Sequence, residues 1–263
     1  MTTLTNDALL AVADRLGVQT LPLVLAAGPR QDTIDAWRAA RDRAVADLTA
    51  AGTFDGYGDV TGDLADALYT LTQPDAELSG RSYRADGTTR ICVARRGTRH
   101  ATAVRTGDEF EIATTGIDGS DRELARLLLG ALPDCPPAEV AAASVAADDL
   151  ARRLDAADTT TDYVDAMYAL GIAAHDAAVL GAAFGSCHGY AEIVAAVHHD
   201  GLTTRAPGAV AVYDTARGRI VVAPTTAPDG QVWSTITPGT DHRLTQAVGA
   251  LLEGLPGGRW LPY

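Results

Sequence analysis

The chain has 263 residues, 47% of them hydrophobic, and a mean hydropathy of +0.03. That is enough apolar side chain to bury a substantial core, as one large domain or two fused halves, and it excludes a disordered chain. A net charge of −13 and a pI near 4.7 exclude the basic surface needed to displace counterions from nucleic acid.

Every basic side chain is arginine and none is lysine, a bias that points to GC-rich coding more than to function. Cys92, Cys135 and Cys187 are odd in number and far apart, which fits neither a disulfide framework nor a zinc site and suits a reducing compartment. Met1 to Leu10 lacks the basic and apolar stretches of a secretory signal, and no run approaches the roughly eighteen apolar residues of a membrane span. The expectation is a soluble, cytosolic protein.

Taken in order, Thr5 is placed to cap a first helix with Leu9, Leu10, Ala13 and Leu16 on its apolar side and Gly17 beyond its end. A short buried segment follows at Leu21 to Leu25. Asp32 is expected to cap a second helix whose core stripe is Ile34, Trp37, Arg41, Val45 and Leu48, with Arg41 contributing its aliphatic stem. After a loop from Thr53 to Gly62, Thr61 or Asp63 starts a third helix carrying Leu64, Leu68 and Leu71. Strands are expected from about Glu77 to His100 and from Ala101 to Thr114, then a helix from about Ser120 to Leu132. Pro133, Pro136 and Pro137 make a stiff connector. Between Val140 and Gly185 the pattern is alanine-rich and helical, in three pieces divided at Thr159 to Thr161 and at Gly171. Tyr163, Met167 and Leu170 form one stripe there, and Val179, Leu180 and Phe184 another. This reads as an inserted helical bundle whose counterpart is the group of N-terminal helices.

From Tyr190 to Trp260 the chain alternates β-branched runs with turns and closes on one amphipathic helix. Val210, Val212, Ile220 and Val222 recur with a period of two, as half-buried strands require. Asp214 to Gly218 and Pro228 to Gly230 can close hairpins. A last strand over about 231–237 ends at Pro238 and Gly239. Asp241 is expected to cap a helix with Leu244, Val248, Leu251, Leu252 and Leu255 on one face.

The same module occurs earlier. An offset of 123 positions pairs Gly107 with Gly230, Phe110 with Trp233, Thr114 with Thr237, Gly116 with Gly239, Asp118 with Asp241 and Pro133 with Pro256. It also pairs Leu128, Leu129 and Leu132 with Leu251, Leu252 and Leu255. Paired residues of such different chemical kinds argue for an internal repeat. The fold class expected is therefore α/β (α+β): one domain over 1–263 made of pseudo-symmetric halves, 1–137 and 138–263. Each half is an antiparallel β-meander with a covering helix, and helical bundles flank the sheet.

No catalytic constellation stands out. Cys187 and His188 are adjacent, but sequence neighbours project differently, and a thiolate pair needs contact in space. Alternation along a strand sends His198 and His199 to opposite faces, so His198, His199 and Asp200 do not form a metal site. Gly56, Gly58 and Gly62 miss the dinucleotide-loop spacing, and Asp55, Asp59 and Asp63 miss the calcium-loop spacing. A turn-rich loop accounts for both sets.

One series of residues carries a family resemblance. Tyr190, Glu192, Ile193 and Val194 lead to His199, Asp200 and Gly201, then Asp214, Thr215, Gly218, Arg219 and Ile220. Pro224, Asp229, Gly230, Trp233, Thr237, Pro238 and Gly239 continue it to Leu255, Pro256 and Trp260. In order and spacing this resembles the EspG family. The start agrees more loosely, at the Leu-Gly-Val and Leu-Pro junction of Leu16 to Pro22.

The resemblance implies a cytosolic chaperone of type VII (ESX) secretion in an actinobacterial cell, with no enzyme activity and no cofactor. Its partner would be a PE-PPE heterodimer, bound at the helical tip of the PPE subunit, kept soluble and assigned to one secretion system. The implied contact surface combines the central sheet, a hairpin of the first half and helices of the second. On this chain the hairpin is placed at Arg95, Arg96, Gly97 and Thr98, and the helical contacts at Met167 and Tyr168. Members often carry an aromatic after the Leu-Pro junction, where this chain has Leu23 and Val24, a departure that bears on the choice of partner. Two other readings stay open at this point: an interaction module with a non-PPE partner or a homodimer, and a hydrolase built on Cys187.

Overall fold

The computed structural model describes residues 1–60 and 62–261. The first half runs β1 (Thr2–Thr5), α1 (Asn6–Arg15), a 3-10 turn (Leu23–Leu25), α2 (Ile34–Ala50), α3 (Gly62–Thr72), β2 (Ala76–Arg84), β3 (Gly87–Arg96), β4 (Arg99–Thr106), β5 (Glu109–Thr115) and α4 (Asp121–Gly130). The second runs β6 (Ala143–Ala146), α5 (Ala147–Asp155), α6 (Thr160–Ala169), α7 (Ala174–Phe184), β7 (Cys187–His199), β8 (Leu202–Arg205), β9 (Val210–Thr215), β10 (Gly218–Thr226), β11 (Val232–Pro238) and α8 (Asp241–Glu253).

All strands join one antiparallel sheet, in the order β1-β5-β4-β3-β2-β7-β9-β10-β11-β6, with β8 added to the end of β7. Outward from the β2–β7 junction the two sides repeat each other: a three-strand meander, a fourth strand, then a short edge strand that leads directly into a helix. The junction is long, from Ala76 opposite Val197 to Arg84 opposite Gly189.

Strand alternation then gives the sheet two different faces. One carries Leu78, Ile91, Val93, Ile193, Val212 and Val221 beneath the leucine stripes of α4 and α8. The other is covered twice. Cys92, Ala94, Ala103, Phe110 and Ile112 lie under α1 and α3, and Ile220, Val222 and Ile236 lie under the α5–α7 bundle. The mixed α/β class, antiparallel sheet and covering helices are those the sequence predicts.

Several local expectations are corrected. Thr33 caps α2, accepting from the Ala36 amide at 3.1 Å, and Thr240 caps α8, accepting from Arg243. Asp32 precedes the first cap, and Asp241 falls instead in the first turn of α8, where its charge suits the helix dipole. On α2 the buried stripe is Ala40, Ala44 and Leu48, whereas Ile34 is 68% exposed and Trp37 and Val45 sit at the surface. Alanines let this helix lie close to its neighbours, and Arg41 turns out to Asp14. The segment 143–146, read as helical, is the edge strand β6, paired with β11. The first long strand run folds back at Ala85 and Asp86 into β2 and β3. Of the two proposed starts for α3, Thr61 lies outside the described residues.

Candidate partner-binding groove

Between the two helical covers, the middle of the sheet is bare. From β2 and β7 the outward side chains pair as Glu77 beside Ala196, Ser79 beside Val194, Arg81 beside Glu192 and Tyr83 beside Tyr190. The first three pairs floor a cleft of about 490 Å³, and the tyrosine pair continues the strip beyond it. One wall is the 20–24 segment with Leu71, Thr72 and Pro74, and Thr203 and Arg205 of β8 close the far side.

The wall is pinned by polar side chains from distant parts of the sequence. Asn6 makes a two-bond clamp with the backbone of Gly28, donating to its carbonyl at 3.0 Å and accepting from its amide at 3.3 Å. Arg90 donates to the Val24 carbonyl, and Arg105 to those of Leu25 and Ala26. With its carbonyls engaged, the 3-10 turn buries Val24 and Leu25 and leaves Leu23 81% exposed on the rim. The sequence pattern predicts a buried segment over 21–25, and the outward Leu23 departs from it, at a position where family members often carry an aromatic.

The floor is chemically graded. At one end Tyr83 and Tyr190 stack with centroids 4.8 Å apart, and Tyr190 continues at 6.3 Å to Tyr213, which meets Phe184 edge-on. Burial pushes the Tyr213 hydroxyl up to about 12, so it stays protonated, while Tyr190 is 40% exposed. At the other end His198 Nδ1 shares a hydrogen with Thr203 Oγ1 at 3.0 Å, and its Nε2 lies 3.7 Å from Glu77. Acidic and basic groups alternate across this floor, so it suits an amphipathic surface and not a single ion.

The site residues expected from sequence fall in different places. Arg96, Gly97 and Thr98 form the exposed β3–β4 turn. Arg95 does not join them at the surface: it is opposite Ala76 in register, hence on the face away from the groove, and is 7% exposed. Its guanidinium donates to Asp75 at 3.2 Å and to the Gly97 carbonyl at 3.0 Å, which shapes the turn from beneath. Met167 is wholly buried in the core under the second cover, so its side chain holds that bundle together and offers a partner nothing. Tyr168, one residue on, points outward and is 47% exposed.

The Cys187 side chain reaches the surface, but its thiol donates to the Gly189 carbonyl at 3.3 Å and desolvation pushes its pKa up, which disfavours the thiolate a nucleophile needs. Among the described residues no cluster of histidine, cysteine and carboxylate side chains could hold a metal ion. The carboxylate of Asp55 accepts from the amides of Tyr57 and Asp59, closing its loop as a turn. No described helix is long and apolar enough to cross a membrane.

Comparisons with known proteins identify the family and match the fold. The sequence model of the EspG family matches residues 5–250. This chain belongs to the EspG family. The ESX-1 secretion-associated protein EspG1 of Mycobacterium tuberculosis is 33% identical, over 98% of this chain and 89% of that protein. The ESX-3 secretion-associated protein EspG3 of Mycolicibacterium smegmatis is 30% identical, over 98% and 88%. Among solved structures, the M. tuberculosis type VII secretion chaperone EspG5, determined in complex with a PE25-PPE41 dimer, superposes with a TM-score of 0.83 at 19% identity, covering 98% of each chain. That EspG likeness is one of fold, and the sequence relatives make the protein a member of a family of ESX secretion-associated proteins.

Proposed function

We propose that this protein is a cytoplasmic chaperone of a type VII (ESX) secretion system. It holds the helical tip of the PPE subunit of a PE-PPE heterodimer in the groove between its two helical covers, keeps that tip out of water and delivers the pair for secretion. The observation that carries this reading is the bare strip of β2 and β7, rimmed by an outward leucine and ended by stacked tyrosines. A monomer without a partner has no reason to spend a rigidly pinned wall on exposing Leu23. Each large apolar side chain buried there contributes about 1.5 to 3 kcal/mol, so a few suffice for micromolar to nanomolar affinity after association costs.

Arg96, Gly97 and Thr98 would meet the partner at one end of the floor and Tyr168 from the second cover, while Arg95 and Met167 support these contacts from behind. The role is binding and not catalysis. The same reading treats residues 1–137 and 138–263 as two copies of one module within a single domain, with the groove at their junction. Co-expression with a PE-PPE pair, followed by size-exclusion chromatography, tests it. A stable ternary complex, lost on Leu23→Asp, supports the chaperone. Self-association through the same groove would replace it with a homodimeric interaction module.

A further inference from the structure

The segment after each sheet-covering helix crosses to the other half and docks at the root of a hairpin. After α4, the Pro133 carbonyl accepts from Arg219 Nη2 and the Pro136 carbonyl from the Arg219 amide, both at 2.6 Å. After α8, the Trp260 indole Nε1–H donates to His100 Nε2 at 3.0 Å. The receiving residues hold equivalent places. Arg219 is opposite Asp214, and His100 is opposite Arg95, each one step in from the pair that closes its turn. The first dock is built on fixed charge, because Asp214 accepts from both Arg219 and Arg84. The second has one neutral hydrogen bond as the polar contact between two almost fully buried rings, with Trp260 also packed in the apolar core.

We propose that the second dock is an acid-released latch: the arm from Pro256 to Leu261 is held on the first half only while His100 is uncharged. An indole N–H gives a hydrogen and cannot accept one, so His100 Nε2 must be the acceptor and the ring's own hydrogen sits on Nδ1. Protonation puts a hydrogen on both nitrogens, and Nε2 then faces another donor. Two charged groups face the ring. Arg95 on β3, itself paired with Asp75, opposes a second positive charge, and Asp118 in the β5–α4 loop favours one.

Burial, reinforced by Arg95, holds His100 below the ordinary imidazole value of 6.5. The latch is therefore complete above that value and is lost as pH falls from it through the lowered value of the docked ring. The arm leaves α8 through a turn at Gly257 and Gly258, with φ of 88° and 65°, where only glycine is unstrained. Its release would withdraw Trp260 and Leu261 from Gly119, against which they pack, on the face opposite the groove.

The test follows the three indole N–H groups, of Trp37, Trp233 and Trp260, by nitrogen-15 NMR from about pH 7.5 to about pH 4.5. The expected result is a loss of at least roughly tenfold in exchange protection at Trp260 below the imidazole value, with the other two unchanged. His100→Gln, whose amide oxygen accepts without titrating, should keep Trp260 protected throughout. In Trp260→Phe, which lacks the donor, the His100 ring should titrate closer to its ordinary value. A Trp260 that stays protected to the acid limit overturns the proposal, as does the same loss in His100→Gln, simultaneous collapse of all three signals, or a His100 titration unmoved in Trp260→Phe.

Discussion

The two docks that tie the halves together do the same mechanical work with opposite chemistry. At Arg219 and Asp214 the linker of the first half is held by an ion pair at 2.7 Å that is desolvated on all sides. At His100 the arm of the second half is held by a hydrogen bond between neutral rings. A buried ion pair adds little net stability when intact and is costly when broken, because the survivor is stranded. A neutral pair costs less to break and can be switched. The first dock is therefore the costlier of the two to break, and the second is the one that a change of protonation can reach.

Perturbing each dock sharpens the contrast. Asp214→Ala leaves Arg84 and Arg219 without their shared carboxylate and should destabilise the fold by about 3–5 kcal/mol in urea unfolding. His100→Ala removes the acceptor of the Trp260 indole together with a buried ring, but strands no charge, and should cost about 1–3 kcal/mol. Equal costs would mean that the two sites do not differ as described.

The two helical covers can be contrasted in the same way. In the second, α7 approaches α6 so closely that a Cβ at Gly181 would overlap the Val164 backbone. Gly181→Val should therefore cost about 1–3 kcal/mol or more through overpacking, and calorimetry would detect the lower melting temperature. Ala39 of α2, on the exposed side of the first cover, should tolerate valine better. A melting temperature unmoved by the glycine substitution would contradict this packing.

Much of this architecture is legible in the sequence, and the failures are instructive. The leucine stripes of α4 and α8 and the alternating valines of β9 and β10 predict their own burial, because large apolar side chains have one place to go. The stripe assigned to α2 failed because close packing there selected Ala40 and Ala44 over the larger Ile34 and Val45. Strand β6 was hidden because an alanine-rich edge of four residues has no helical or strand period of its own and is made by pairing with β11. The groove was hidden for a related reason. Its floor is two strands brought together from 76–84 and 187–199, and its wall is fixed by Asn6, Arg90 and Arg105, none of which has a local signature. The β3–β4 turn was legible from Gly97, but the inward side of Arg95 could be known only from its register with Ala76.

Within the groove the expected effects on binding are graded. Leu23→Asp should leave the melting temperature unchanged and lower affinity for the partner by roughly tenfold or more, since it removes an exposed side chain from the rim. Arg96→Glu, at the exposed turn, should lower it only a few-fold and in a salt-dependent way, as rim charges do.

The most direct measurement is calorimetric titration of a PE-PPE pair from the same genome into the purified protein, wild type and Leu23→Asp, with unfolding temperatures recorded for both. The account predicts saturable binding to the wild type and a loss of roughly tenfold or more in the variant at equal stability. Undiminished binding by Leu23→Asp, or no binding by a folded wild type, would contradict the assignment of the central groove.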